Sequence, residues 1–236
     1  MATYILVHGA YHGGWCWRDT ALLLRQQGHD VFTPTLSGLG ERSHLLLPSV
    51  NLSTHIEDIL NLMIWEDLKD VILVGHSYGG MVITGVADRA ADRITDIIYL
   101  DAIVPKNGQS ILDVQPAGRA DWMRDRAKAN GGLAGAPPDP ELYGVTDPKA
   151  KAWVAAKCTP HPFASLSEKI RISGLPAERI KNHLYILCTD PALEYMRQFY
   201  EEALVTDGWD TMEIATGHDA MVTEPKMLAE ILARRA

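Results

Sequence analysis

Short apolar runs alternate along the chain with stretches of helical period. The runs fall at Ile5–Val7, Val31–Thr33, Val71–Val74, Ile97–Leu100, Leu184–Leu187 and Thr211–Ile214, several of them rich in β-branched residues. Such brief, nearly continuous hydrophobic segments predict buried strands. Between them, Trp17–Gln27, Leu52–Trp65, Met81–Ala91, Ala192–Ala203 and Pro225–Arg235 carry the helical pattern. Regular strand-helix alternation predicts an α/β fold, its sheet mostly parallel and flanked by helices on both faces. In the first helix Leu22, Leu23 and Leu24 are expected to feed the apolar face, with Gly28 as C-cap. In the third, the spacing of Val82, Ile83, Val86 and Ala90 would pack that helix on the sheet.

The alternation stops after Leu100-Asp101 and resumes near His183. The intervening segment holds Gly131-Gly132, Ala136-Pro137-Pro138-Asp139-Pro140 and Thr159-Pro160-His161-Pro162, with helical patterns at Asp121–Ala129 and Lys149–Lys157. Such punctuation predicts short helices joined by irregular turns. Residues 105–182 are therefore read as a small helical cap inserted over the sheet's carboxyl edge, where open α/β folds bind ligands. Residues 1–104 and 183–236 form the core in this reading.

At 236 residues the chain suits one large domain, and 47% hydrophobic with 22% charged residues is ordinary for a globular protein. A net charge of −8 without Lys/Arg clusters argues against a nucleic-acid partner. Cys16, Cys158 and Cys188 are an odd number without metal-like spacing, which fits reduced thiols and a cytoplasmic location. The start, Met1 to Val7, lacks a basic region and a long apolar run, so neither a leader nor a membrane anchor is expected. A homodimer is an assembly this reading allows.

Candidate chemistry centres on Gly75-His76-Ser77-Tyr78-Gly79, which follows the run ending at Val74 and precedes a helix. A Gly-x-Ser-x-Gly at a strand-to-helix turn holds its serine at a strained bend with the hydroxyl exposed, making Ser77 a candidate nucleophile. A serine needs a base, itself oriented by an acid. His218, in a glycine-containing loop after the last predicted strand, is the expected base. Asp190, just past Leu184–Leu187, is favoured as acid on the order Ser, Asp, His. Asp101, at the tip of Ile97–Leu100, is its competitor. The backbone N–H groups of Ala10, in the loop after the first strand, and of Tyr78 are the expected oxyanion donors. Tyr11, Trp122 and Phe163 are candidates to line the substrate pocket. His8 and His12 lack the glutamate of a zinc-binding His-Glu-x-x-His helix, and Gly38-Leu-Gly-Glu-Arg-Ser43 misses the last glycine of a dinucleotide fingerprint. No metal or other cofactor is expected.

The segments His8-Gly-Ala-Tyr-His-Gly-Gly-Trp-Cys-Trp17, Gly28-His-Asp-Val31, Val71 to Met81, Leu100-Asp-Ala-Ile-Val-Pro105 and Gly217-His218 resemble the α/β-hydrolase superfamily. Within it, the chain is similar to small esterases related to plant methyl-salicylate and methyl-jasmonate esterases and to hydroxynitrile lyases. The resemblance implies a triad of Ser77, His218 and Asp190, acting on small, fairly apolar esters. In the lyase branch a threonine follows the first histidine, a glutamate precedes the nucleophile and a lysine follows the catalytic histidine. This chain has Gly9, His76 and Asp219 there. Cyanide departure calls for a cation, which favours ester hydrolysis over the lyase, and the intact set of Ser77, Asp190 and His218 argues against a non-catalytic receptor on the same scaffold. One departure is Pro191, which stands between Asp190 and Ala192-Leu193, where plant relatives have the acid directly before an Ala-Leu pair.

Overall fold

The computed structural model describes residues 1–174 and 179–236; the remaining four positions of the expected cap lie outside the described residues. The elements run β1 (Thr3–Val7), α1 (Arg18–Gln26), β2 (Asp30–Phe32), α2 (Leu52–Trp65), β3 (Val71–His76), α3 (Gly79–Ala90) and β4 (Ile94–Leu100). Then come α4 (Ile111–Val114), α5 (Ala117–Ala129), β5 (Ala134–Gly135), α6 (Pro148–Lys157), β6 (His161–Pro162) and α7 (Phe163–Ser167). The chain returns through β7 (Asn182–Cys188), α8 (Arg197–Leu204), β8 (Trp209–Ile214), α9 (Ala220–Thr223) and α10 (Pro225–Ala233).

Each predicted strand forms, and the six make one sheet in the order β2-β1-β3-β4-β7-β8 with parallel ladders throughout. Strand periodicity divides its side chains between two cores. Ile5, Val7, Val71, Leu73, Ile97 and Tyr99 face α2, α3 and α8. Tyr4, Leu6, Ile72, Val74, Ile98 and Leu100 face α1 and α10. Val82, Ile83, Val86 and Ala90 of α3 are buried against the first face, as their spacing predicts. Of the three consecutive leucines in α1 only Leu24 is fully enclosed, while Leu22 is 52% exposed, because three consecutive residues cannot share one face of a helix.

Predicted boundaries shift where capping chemistry overrides periodicity. α2 begins at Leu52 because the Asn51 side chain accepts from Thr54 N–H while Thr54 Oγ1 accepts from Asn51 N–H, a closed capping box. The expected helix from Ala192 starts late, at a 3-10 turn over Glu194–Met196 that leads into α8. Between β4 and β7 lie short helices, as the punctuation predicts, with the small antiparallel pair β5-β6 among them. Among the described residues no helix is long and apolar enough to cross a membrane.

Candidate active site

Parallel pairing of β3 with β4 sets two chemically loaded strand tips side by side. At the tip of β3 the chain turns sharply into α3, and Ser77 takes φ of 53°, a left-handed value costly for a residue with a Cβ. The bend is held from β4: Ser77 N–H donates to Leu100 O at 3.3 Å, and Ile103 N–H donates to Ser77 O at 3.1 Å. Glycines allow the helix to start this close. A Cβ on Gly80 would stand 2.1 Å from Ile103 O, and one on Gly79 2.7 Å from Val7 O.

At the tip of β4, Asp101 also has positive φ, 43°, and is fully buried. Its Oδ2 accepts from His218 Nδ1 at 2.6 Å, and its Oδ1 accepts from Cys188 N–H at 3.1 Å. The carboxylate therefore fixes His218 as the Nδ1–H tautomer and leaves Nε2 as the accepting nitrogen. Asp190, expected here, is not the partner of His218: its side chain is exposed, two residues beyond β7, while its N–H donates to Thr216 O. The tip of β7 does serve the acid, but with the Cys188 amide rather than with a carboxylate. Chain order could not separate the two candidates, since both aspartates lie between Ser77 and His218.

His218 is held from a second side by the residue that precedes Ser77. His76 Nε2 donates to His218 O at 2.9 Å, and the two rings lie 4.4 Å apart. Burial, the neighbouring His218 and His12 together hold His76 well below the usual imidazole range, so its Nδ1 stays unprotonated. Behind them His12 bonds both ways, with Nδ1 on Ala10 O at 2.8 Å and Nε2 on Asp219 Oδ2 at 3.1 Å. Both contacts are acceptors, so His12 is an imidazolium. Burial opposes that charge, but the Asp219 carboxylate outweighs it and raises the His12 pKa. In return His12 keeps Asp219 ionised below the usual carboxylate range, against the same burial.

The loop after β1 is arranged by histidines too. His8 Nε2 accepts from Leu36 N–H at 3.1 Å, so its Nδ1 is protonated and donates to Gly9 O at 2.8 Å. A trans peptide sets its carbonyl and N–H in opposite directions, so anchoring Gly9 O on His8 turns Ala10 N–H away from that ring. A Cβ on Gly9 would meet His76 Nδ1 at 2.8 Å and Ser77 Cβ at 2.9 Å, which brings this loop directly over Ser77.

Ala10, Ser77 and Tyr78 line one pocket with a free interior of about 20 Å³. Tyr11 lines it as expected, together with Ile103, Ile111, Gln115, Arg119, Met123, Tyr143, Leu166, Tyr195 and Met196. Trp122 is not in the wall; it lies behind, against the guanidinium of Arg119. Phe163 lines a separate hollow with Leu112 and Arg124, because α7 turns its first residue away from the sheet edge. Gln115, Arg119 and Tyr143 escaped the sequence reading because their segments carry almost no periodic signal, and Tyr195, inside the expected Ala192–Ala203 helix, because helical period alone does not show that it borders a pocket. Ligand atoms of His76, His218 and Asp219 converge within 4.8 Å. Two of them are already committed, His76 Nε2 to a carbonyl and His218 Nδ1 to Asp101, so the group acts as a hydrogen-bonded scaffold.

Residues 4–231 match the alpha/beta hydrolase family. The carbendazim hydrolyzing esterase of Nocardioides sp. (strain SG-4G) is 43% identical over 246 residues, covering 99% of each chain. Putative methylesterase 13, chloroplastic, of Arabidopsis thaliana is 31% identical over 72% of this chain, which spans 41% of that longer protein. A solved extracellular alpha/beta-hydrolase from a Paenibacillus species, described as sharing structural and functional homology with tobacco salicylic acid binding protein 2, superposes with a TM-score of 0.87. It is 28% identical, with 99% of this chain and 98% of that one aligned. Whole-length sequence similarity, the parallel sheet and the serine at its strand-to-helix turn lead to one conclusion: the chain belongs to the alpha/beta hydrolase family.

Proposed function

We propose that this chain is a serine carboxylesterase for small, fairly apolar esters, with Ser77 as nucleophile, His218 as general base and Asp101 as the acid that orients it. The observation that carries the reading is the 2.6 Å bond from His218 to buried Asp101, on the strand tip next to the strained Ser77. Its relatives named for esterase and methylesterase activity support the same reaction class. Nε2 of His218 takes the Ser77 proton as Oγ attacks the ester carbonyl, and Asp101 stabilises the imidazolium that forms. The Ala10 and Tyr78 amides receive the developing oxyanion. His218 then returns the proton to the departing alcohol, and water, activated by the same nitrogen, hydrolyses the acyl-serine. Three free cysteines suit a reducing compartment, and on that ground we place the protein in the cytoplasm.

The deciding experiment is hydrolysis of p-nitrophenyl acetate by the wild-type chain and by Ser77→Ala, with circular dichroism to verify the fold. Turnover is expected to fall by roughly 10³-fold or more in the variant. An intact variant that turns over at the wild-type rate rejects Ser77 as nucleophile.

A further inference from the structure

A pocket for fairly apolar esters has an unexpected wall. Arg119, in the first turn of α5, is half-buried and lines the pocket beside Ser77. Its guanidinium lies 4.8 Å from the Tyr195 ring and 5.8 Å from the Trp122 ring, and the phenol groups of Tyr143 and Tyr195 stand beside it. No carboxylate among the described residues forms an ion pair with it, and its buried Nε–H has no hydrogen-bond partner there. The other arginine of this helix turned toward protein, Arg126, has both guanidinium arms spent on the carbonyls of Ala136 and Pro137.

Leaving such groups unsatisfied is costly, and the cost falls away when a ligand supplies the missing partner. Aromatic packing against Tyr195 and Trp122 restrains the plane of the guanidinium rather than leaving it free to swing into solvent. Ser77 and Arg119 line the same pocket, so an ester seated at Ser77 lies in a cavity that Arg119 walls.

Building on the esterase reading above, we propose that Arg119 selects esters that carry a second hydrogen-bond acceptor a few atoms from the scissile carbonyl. The acceptor is a carbonyl or a carboxylate oxygen. It satisfies the Arg119 Nε–H while Ser77 attacks the ester, which makes Arg119 a specificity determinant with no part in the bond-breaking itself.

Three methyl esters of matched length separate the cases: methyl hexanoate, with no second acceptor; methyl 5-oxohexanoate, with a neutral one; and monomethyl glutarate, with a charged one. In the wild-type chain kcat/KM for at least one acceptor-bearing ester is expected to exceed that for methyl hexanoate by roughly tenfold or more. Which of the two gains identifies a neutral or an anionic substrate. In Arg119→Met, of similar length and without donors, that ratio is expected to fall to about one. Arg119→Lys, which keeps the charge but loses the planar fork, is expected to give an intermediate ratio, and it provides the reading should the methionine variant fail to fold. A wild-type ratio near one overturns the proposal, as does a ratio that survives in Arg119→Met or a variant that slows all three esters equally. Ser77-dependent turnover of the three esters with no such ratio leaves the esterase reading intact and removes only this one; turnover that persists in Ser77→Ala removes the esterase reading itself.

Discussion

Asp101 accepts one hydrogen bond from His218 and one from Cys188 N–H, with no solvent access. Its two oxygens thus have distinct duties, one orienting the His218 ring and one anchoring the carboxylate to the next strand. Asn at this position would keep the volume but place an NH₂ donor against one of these two N–H groups, or force His218 into the other tautomer. Asp101→Asn is expected to lower kcat for p-nitrophenyl acetate by roughly 10³- to 10⁴-fold with little change in KM. Asp190→Asn, at an exposed position, is expected to stay within about 0.5 kcal/mol of wild type in both activity and stability. Steady-state kinetics of the two variants side by side checks this, and the reverse ranking would restore Asp190 as the acid. The local sequence around both aspartates is alike in kind, a strand tip followed by a turn, so only the position of the neighbouring strand tells them apart.

At the scale of elements, the turn that holds Ser77 depends on how closely α3 approaches the segment leaving β4. Gly80 is fully enclosed where that segment passes, with Ile103 O only 2.1 Å from a would-be Cβ. Gly80→Ala therefore cannot be absorbed by a rotamer change; the backbone must move, at an expected cost of about 1–3 kcal/mol or more. Because Ile103 N–H also holds Ser77 O, the same displacement is expected to lower esterase turnover as well as the melting temperature. Calorimetry and p-nitrophenyl acetate turnover on one sample test the coupling; a destabilised variant with undiminished kcat would break it. The sheet and its flanking helices were legible because they repeat at periods of 2 and 3.6, and burial follows period. The wall of the pocket was not. Gln115, Arg119, Tyr143 and Tyr195 come from four separate short segments with no shared period, and only the folding of those segments over the sheet edge unites them.

Across the whole molecule, a buried set of histidines surrounds the site in two protonation states. Burial is the leading cause that lowers His8 to about 3 and His55 to about 4, and it holds His76 and His161 well below the imidazole range. Their folded pKa values lie below the unfolded value of about 6.5, so the unfolded chain binds more protons once the pH drops beneath it. Stability is therefore present above about pH 6.5 and is lost as pH falls toward the folded values, by up to about 1.4 kcal/mol per pH unit for each such residue. His12 has the opposite sign. Its raised pKa contributes stability that is fully present below about 6.5 and is lost as pH rises through the folded value, and Asp219 holds its share until pH falls through its own lowered one. Four residues against one set the net direction. Denaturant unfolding between pH 7.5 and 4.5 is expected to show stability falling steeply below about 6.5; a flat profile would mean these rings are protonated within the fold.

Read alone, the amino-acid order determined the parallel α/β sheet, the strained serine between β3 and α3, and the histidine after β8. Each is a local signature: hydrophobic period for the elements, glycine spacing for the turn, a loop position for the base. Tertiary structure alone decided which aspartate holds His218, because the bond joins residues 117 positions apart and depends on adjacency in the sheet. It alone set the direction in which His8, His12, His55, His76 and His161 are shifted, since burial and the partner across space, not the neighbour in sequence, determine how readily a proton is held.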